Sequence, residues 1–460
     1  MLKDKKSSVT LAGLTALVTA GAVAVPLIAY AASTREDRSA EVAAAIDGGT
    51  AKNVILLIGD GMGDSEITIA RNYAVGAAGR LSLDTLPLTG AYTTYSVQQG
   101  TNNPDYVPDS ASTGTAWATG NKTYDGGVAV DTNGVSVPNL AEIAKAAGYK
   151  TGNVSTAAIQ DATPAVQESH VTSRSCFGPE RTSTTCPTNA TENGGAGSIS
   201  EQIANGTLDV VLGGGASSFQ EVIKAGPYVG MTVEQSAKAQ GFSVAKTQAE
   251  ALAIPQGRNT RVLGLFAEGN LDLEFAPLPA VVGGTGPAQR CVTNPDRPST
   301  QPKLDLLTSE AIKGLDKKAK ASRNGKGFFL QIEGASIDKQ DHAANLCGQI
   351  GENLAFDRSV KAALDFQKKN PDTLVIVTAD HAHTSQIANP NSGPGAQATV
   401  LTADDQPMTV NYGTAPVGSS QQHTGAQVRV AAGGPQAANV VGVTDQTDLF
   451  FTMRRALGLG

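Results

Sequence analysis

Aromatic residues make up only 5% of this 460-residue chain, and Trp117 is its single tryptophan. A stacking platform for bases needs several rings, so that class of binding is excluded. Charged residues are also sparse, at 17%, and the net charge is −7, which leaves no basic surface for nucleic acid. Glycine (51) and proline (22) occur without period, so collagen-like and low-complexity readings fail. There is no C-x-x-C pair for a zinc cluster and no G-x-S-x-G elbow for an esterase triad. Histidine is scarce too. Of five, four (His342, His381, His383 and His423) lie in the last third.

One long apolar run exists, and it is N-terminal. Lys3, Lys5 and Lys6 precede an apolar stretch over 9–30, and Ala29-Tyr30-Ala31 is an A-x-A-like cleavage site. Residues 1–31 therefore read as an export signal, with a retained membrane anchor as the alternative. No cysteine follows the small residues, which argues against a lipid anchor. Beyond it no run is long enough to span a membrane, so no membrane association is expected once the signal is cleaved. Residues 32–50 read as a flexible lead-in and 51–460 as one domain.

The four cysteines all lie after the signal and fit an oxidising compartment. Four allow three pairings. Cys176 and Cys186 flank a Pro/Ser/Thr-rich loop, a natural local bridge, which would leave Cys291 to Cys347.

Short apolar runs at 53–58 (NVILLI), 208–212 (LDVVL) and 328–332 (FFLQI) run into glycine or an acidic residue, and 374–378 (LVIVT) runs into Ala379-Asp380-His381. They read as buried parallel strands. Helical segments such as 137–147 and 352–369 lie between them. The fold class is α/β, with a largely parallel central sheet flanked by helices on both faces. Segments near 176–197 and 386–422, rich in small and polar residues, read as surface insertions.

Ligands bind beyond the carboxyl ends of such strands. Asp60, Glu333 and Asp380 each follow one. A single acid there usually caps a helix, but three accompanied by histidines point to metal. Asp338 and His342 are one helical turn apart, Asp380-His381 is an adjacent pair, and His423 follows a polar insertion. Mixed carboxylate and imidazole ligands suit zinc. Ser110 opens a run of small residues at a loop-to-helix junction. It reads either as an N-cap or as a nucleophile beside an anion site.

Seven blocks carry a resemblance: GDGMGDSEIT (59–68), PDSASTGTAWATG (108–120), QDATPA (160–165), HVTSR (170–174), EGASIDKQDHAAN (333–345), TADHAH (378–383) and HTG (423–425). In these the chain resembles the alkaline phosphatase family, enterobacterial type, of exported zinc- and magnesium-dependent phosphomonoesterases. The resemblance implies that Ser110 becomes phosphorylated. It implies two zinc ions per chain, one on Asp338, His342 and His423, the other on Asp60, Asp380 and His381. One magnesium would use Asp60, Thr163 and Glu333. Arg174 would clamp the phosphate, and Asp161 and Lys339 would stand behind it. His383 is not a ligand in this pattern and falls in the outer shell. Small phosphate monoesters would be the substrates, and a homodimer the assembly. Two rivals are weighed: a phosphodiesterase or sulfatase of the same fold, and a non-catalytic phosphate-binding protein. The first would lack the arginine clamp or replace Ser110, and the second would lack a nucleophile or ligand.

Overall fold

The computed structural model describes residues 38–459, apart from 207, 256, 258, 391, 393 and 394. The segment read as an export signal, 1–31, lies outside the described residues. Ten strands form the central sheet: β1 (Asn53–Gly59), β2 (Leu88–Thr93), β3 (Lys150–Ala158), β4 (Val210–Gly214), β5 (Phe242–Ala245), β6 (Arg261–Leu265), β7 (Phe328–Gly334), β8 (Thr373–Ala379), β9 (Val428–Gly433) and β10 (Gly442–Asp445). Their order is β10-β2-β9-β8-β1-β7-β3-β4-β6-β5. From β8 to β5 every neighbouring pair is parallel. β9 runs antiparallel to both its neighbours.

Every residue of β1, β7 and β8 is buried, so both faces of the sheet are covered. Helices Leu304–Lys320 and Leu346–Gln367 pack on one face. On the other, Trp117 of helix Ser110–Thr119 reaches Gln331 in β7. The four apolar runs fall in β1, β4, β7 and β8. The helix expected over 137–147 is Leu140–Ala146, opened by a capping box of Asn139 and Glu142. The one expected over 352–369 starts six residues earlier, at Leu346, because the Asn345 side chain accepts the Gly348 N–H and caps it there.

Two segments differ from the reading. Residues 38–50, expected as a flexible lead-in, include a helix, Ser39–Ala44. Gln436 then grips this segment, donating its backbone N–H to Asp47 O and its side-chain amide to Gly49 O. The 386–422 insertion is more than surface: strands Ser385–Ile387, Pro407–Tyr412 and Ala396–Leu401 form a separate sheet. Met408, Val410 and Tyr412 alternate inward and join Ile69, Tyr73, Leu346 and Ile350 in a second apolar core. Disulfides join Cys176 to Cys186 and Cys291 to Cys347. No helix among the described residues is long and apolar enough to cross a membrane.

Candidate active site

β8, β1 and β7 are adjacent, and Ile58 is in register with both Thr378 and Glu333. Asp60 just past β1, Asp380 just past β8 and Glu333 near the end of β7 therefore arrive at one level, all buried. Asp380 Oδ1 accepts the N–H groups of Gly61 and His381, both at 2.9 Å. His381 Nε2 lies 3.4 Å from Asp60 Oδ1 and 3.3 Å from Asp380 Oδ2. The turn that brings Asp60 out of β1 needs Gly61, whose φ is +69° and whose missing Cβ would sit 3.0 Å from the Asp338 backbone.

The crowding has an electrostatic price. Burial pushes the Asp60 carboxyl well above its ordinary range, and Asp380, Asp338 and Glu333 push it further. Burial also raises Asp380, and lifts Glu333 to about 7. Burial, reinforced by His423, holds His381 well below its usual value. A cation at this point would remove the penalty.

The second group lies at the rim. Helix Ser336–His342 presents Asp338 and His342 on one face, and His423 comes from the loop before β9. Asp338 Oδ1 is 3.4 Å from His342 Nε2 and 3.2 Å from His423 Nε2. Burial acts to raise Asp338, but His383 and His423 outweigh it and hold it well below the carboxylate range. The two groups adjoin: the His381 and His423 rings stack with centroids 3.6 Å apart.

The three ligand-type imidazoles share a feature. Each turns Nδ1 to a backbone carbonyl: His342 to Gln421 O, His423 to Pro108 O at 2.9 Å, and His381 to Ala382 O at 3.4 Å. A proton on Nδ1 leaves the Nε2 lone pair free for a metal. His383 is the reverse. Its Nδ1 accepts the Thr384 N–H at 2.9 Å, so Nε2 carries the proton, 3.1 Å from Asp338 Oδ1. That ring has no lone pair to offer at Nε2.

Ser110 is not the cap of its helix. Asp109 is the N-cap, accepting the Ala111 and Ser112 N–H groups at 3.1 and 3.0 Å. The Ser110 hydroxyl is thereby free for the cluster, 3.4 Å from Asp60 Oδ1 and 3.3 Å from His381 Nε2. The second Asp109 oxygen accepts from Arg174 at 3.1 Å, and Asp161 accepts the other arm of the guanidinium at 2.8 Å. Lys339 donates to the remaining Asp161 oxygen, also at 2.8 Å. Burial opposes the charge of Asp161, but Lys339 and Arg174 hold it well below the usual range.

The residues fit divalent cations. The ligand atoms of Asp60, Asp380 and His381 lie within 4.8 Å of one another, as do those of Asp338, His342, His383 and His423. Asp380 Oδ2 and Thr163 Oγ1 are buried with no hydrogen-bond partner. Glu333 accepts a hydrogen bond from Ser155 Oγ, its register partner on β3. All the site residues read from the sequence thus gather at this end of the sheet. Asp109 and Ser155 were missed. An Asp before a run of small helical residues is a recognisable N-cap signal, whereas nothing local marks Ser155.

The family model described as alkaline phosphatase matches residues 51–419 and 395–459. Alkaline phosphatase of Escherichia fergusonii is 53% identical over 428 residues, covering 92% of this chain and 89% of that protein. Alkaline phosphatase H of Pseudomonas aeruginosa is 54% identical over 414 residues, with 89% and 86% covered. Streptomycin-6-phosphate phosphatase of Streptomyces griseus is 49% identical over 447 residues, with 96% and 97% covered. The fold is that of the alkaline phosphatase of Thermus thermophilus, with a TM-score of 0.67 at 23% identity over 93% of this chain and 95% of that one. Sequence likeness over nearly the whole length and likeness of fold agree: the chain belongs to the alkaline phosphatase family, whose members are metal-dependent phosphoric monoester hydrolases.

Proposed function

We propose that this chain hydrolyses phosphate monoesters through a phosphorylated Ser110, using two zinc ions and one magnesium ion. The observation that carries this reading is the freed hydroxyl of Ser110. Asp109 takes over the capping, and Ser110 faces Asp60 and His381 instead. Asp338, His342 and His423 would hold the first zinc, and Asp60, Asp380 and His381 the second. Imidazole in both sets favours zinc. Asp60, Thr163 and Glu333 offer only oxygen, which suits magnesium. When bound, these ions neutralise charge in the displacement and make oxygen nucleophiles available near neutral pH.

The protein's own part is orientation. Asp109 and Asp161 hold the two arms of Arg174, so the guanidinium is preset to grip phosphate oxygens. Ser110 Oγ attacks phosphorus, the bond to the ester oxygen breaks, and the alcohol leaves with a proton. Water then attacks the phosphoserine, releasing inorganic phosphate and restoring the hydroxyl. The helix N-terminus behind Ser110 favours the anion throughout. Asp161 and Lys339 brace the clamp.

The reading extends to export, with 1–31 removed, and to a homodimer. The disulfides support an oxidising destination. N-terminal sequencing of secreted protein and sedimentation velocity test these two points.

The central test is acid-quench labelling with a ³²P-phosphomonoester. Label should appear on Ser110 and vanish in Ser110→Ala, whose metal content should be unchanged. Turnover in that variant should drop by about 10³-fold or more. An unlabelled wild-type protein would sink the covalent route. Hydrolysis of bis-p-nitrophenyl phosphate in preference to the monoester would favour a diesterase instead.

A further inference from the structure

Gln331 is the one amide in an otherwise apolar stretch of β7, between Phe329, Leu330 and Ile332, and it is fully buried. A buried amide there is tolerated only with its hydrogen bonds made. Its Oε1 accepts the Trp117 indole N–H at 3.0 Å and a Gln167 amide N–H at 3.2 Å. Its Nε2 donates to Thr163 O at 2.7 Å.

The partners are not arbitrary. Gln331 stands two residues before Glu333, so both side chains leave β7 on the same face. Trp117 stands seven residues after Ser110, about two turns along one helix face. Thr163 carries the unpartnered buried Oγ1. On the adjacent strand β3, Asn153 is the register partner of Gln331 and donates to the next carbonyl, Pro164 O, at 2.7 Å. Two amides side by side thus grip consecutive carbonyls of the turn that carries Thr163.

We infer that Gln331 is a positioning residue coupling the magnesium site to the nucleophile helix. This rests on the assignment of Thr163 and Glu333 to magnesium. Through one planar amide, the backbone that aims Thr163 is tied to the indole that anchors the helix of Ser110. Ordering of Thr163 by a bound ion is transmitted to Trp117, and loosening of the amide weakens the ion. A purely structural glutamine would stabilise the fold without linking the two.

The single tryptophan makes the link observable. Zinc-loaded wild-type protein is titrated with Mg²⁺, and magnesium bound by equilibrium dialysis is compared with Trp117 emission. The two should rise together and saturate together. Gln331→Met preserves volume and removes all three hydrogen bonds. It should keep two zinc ions, bind magnesium at least about fivefold more weakly than wild type, and leave Trp117 unresponsive, with rescue by excess Mg²⁺. Magnesium affinity within twofold of wild type, in a variant with full zinc and lowered melting temperature, makes Gln331 structural only and overturns the inference. Emission that stays flat while the wild-type site fills overturns it equally, and needs no variant to fold. If wild-type protein takes up no magnesium at all, the assignment of Thr163 and Glu333 is at fault and the coupling falls with it.

Discussion

Asp60, Asp380 and His381 hang from the ends of two adjacent strands, whereas Asp338, His342 and His423 come from a short helix and a distant loop. The side chains of the first group are 4%, 0% and 0% exposed; those of His342 and His423 are 30% and 14%. The first group inherits its spacing from the register of β1 and β8, which also sets the core. The second has no such frame. Its imidazoles are aimed from loops: His342 Nδ1 meets Gln421 O and, at 3.3 Å, Ser420 Oγ, while His423 Nδ1 meets Pro108 O. One half of the site is as rigid as the sheet, and the other is as rigid as the loops that meet there.

Asp60 touches the most functions, so its loss should have the largest effect. Asp60→Asn should lose the second zinc and the magnesium and lower turnover by about 10³-fold. His423→Ala should lose the rim zinc alone. Glu333→Gln should lose magnesium alone and slow the reaction least of the three. Counting metals on the three variants checks this. If Asp60→Asn retains every ion, or His423→Ala empties the strand-end site as well, the two halves are not separable.

The clamp comes next, since Asp109 ties it to the Ser110 helix and Asp161, through Lys339, to the rim helix. Arg174→Ala removes a charge-assisted pair of hydrogen bonds, about 1.5–3 kcal/mol. Inhibition by inorganic phosphate should weaken by about 10- to 150-fold, with metal content unchanged. An unaltered inhibition constant would exclude Arg174 as the phosphate grip.

The same contrast explains what could be read from the sequence. Asp60, Asp380 and Glu333 were visible because a buried parallel strand is a local pattern and its end is a defined place. Asp338 and His342 were visible as one helical turn. His423 is legible as a candidate ligand beside the other histidines, but that it meets Asp338 and His342 is a tertiary fact, and their sharing one ion comes from the resemblance. Ser110 was ambiguous between cap and nucleophile. The structure resolves the capping by giving it to Asp109. The 386–422 segment was misjudged because its glycines and polar residues masked the alternation of Met408, Val410 and Tyr412. The grip of Gln331 on Thr163 has no sequence signal, since 168 positions separate them.

The smallest effects on activity should come from the disulfides, and they too divide by region. Cys176–Cys186 closes a separation of 10 residues beside the clamp, and Cys291–Cys347 one of 56. Cys347 opens the helix that follows the rim helix, and the bond lies within the second core, just behind the less rigid half. No cysteine belongs to a proposed ligand set, so turnover at 25 °C should survive the loss of either. Stability should not. Chain entropy makes the longer closure worth about 1.5 kcal/mol more than the shorter. Replacing Cys291 and Cys347 by serine should therefore lower the melting temperature further than replacing Cys176 and Cys186. It should also let a chelator strip the rim zinc before the strand-end zinc, because the strand-end ligands are framed by the sheet alone. Equal melting temperatures for the two pairs, or loss of both zincs together, would mean that the rim is held as firmly as the strand ends.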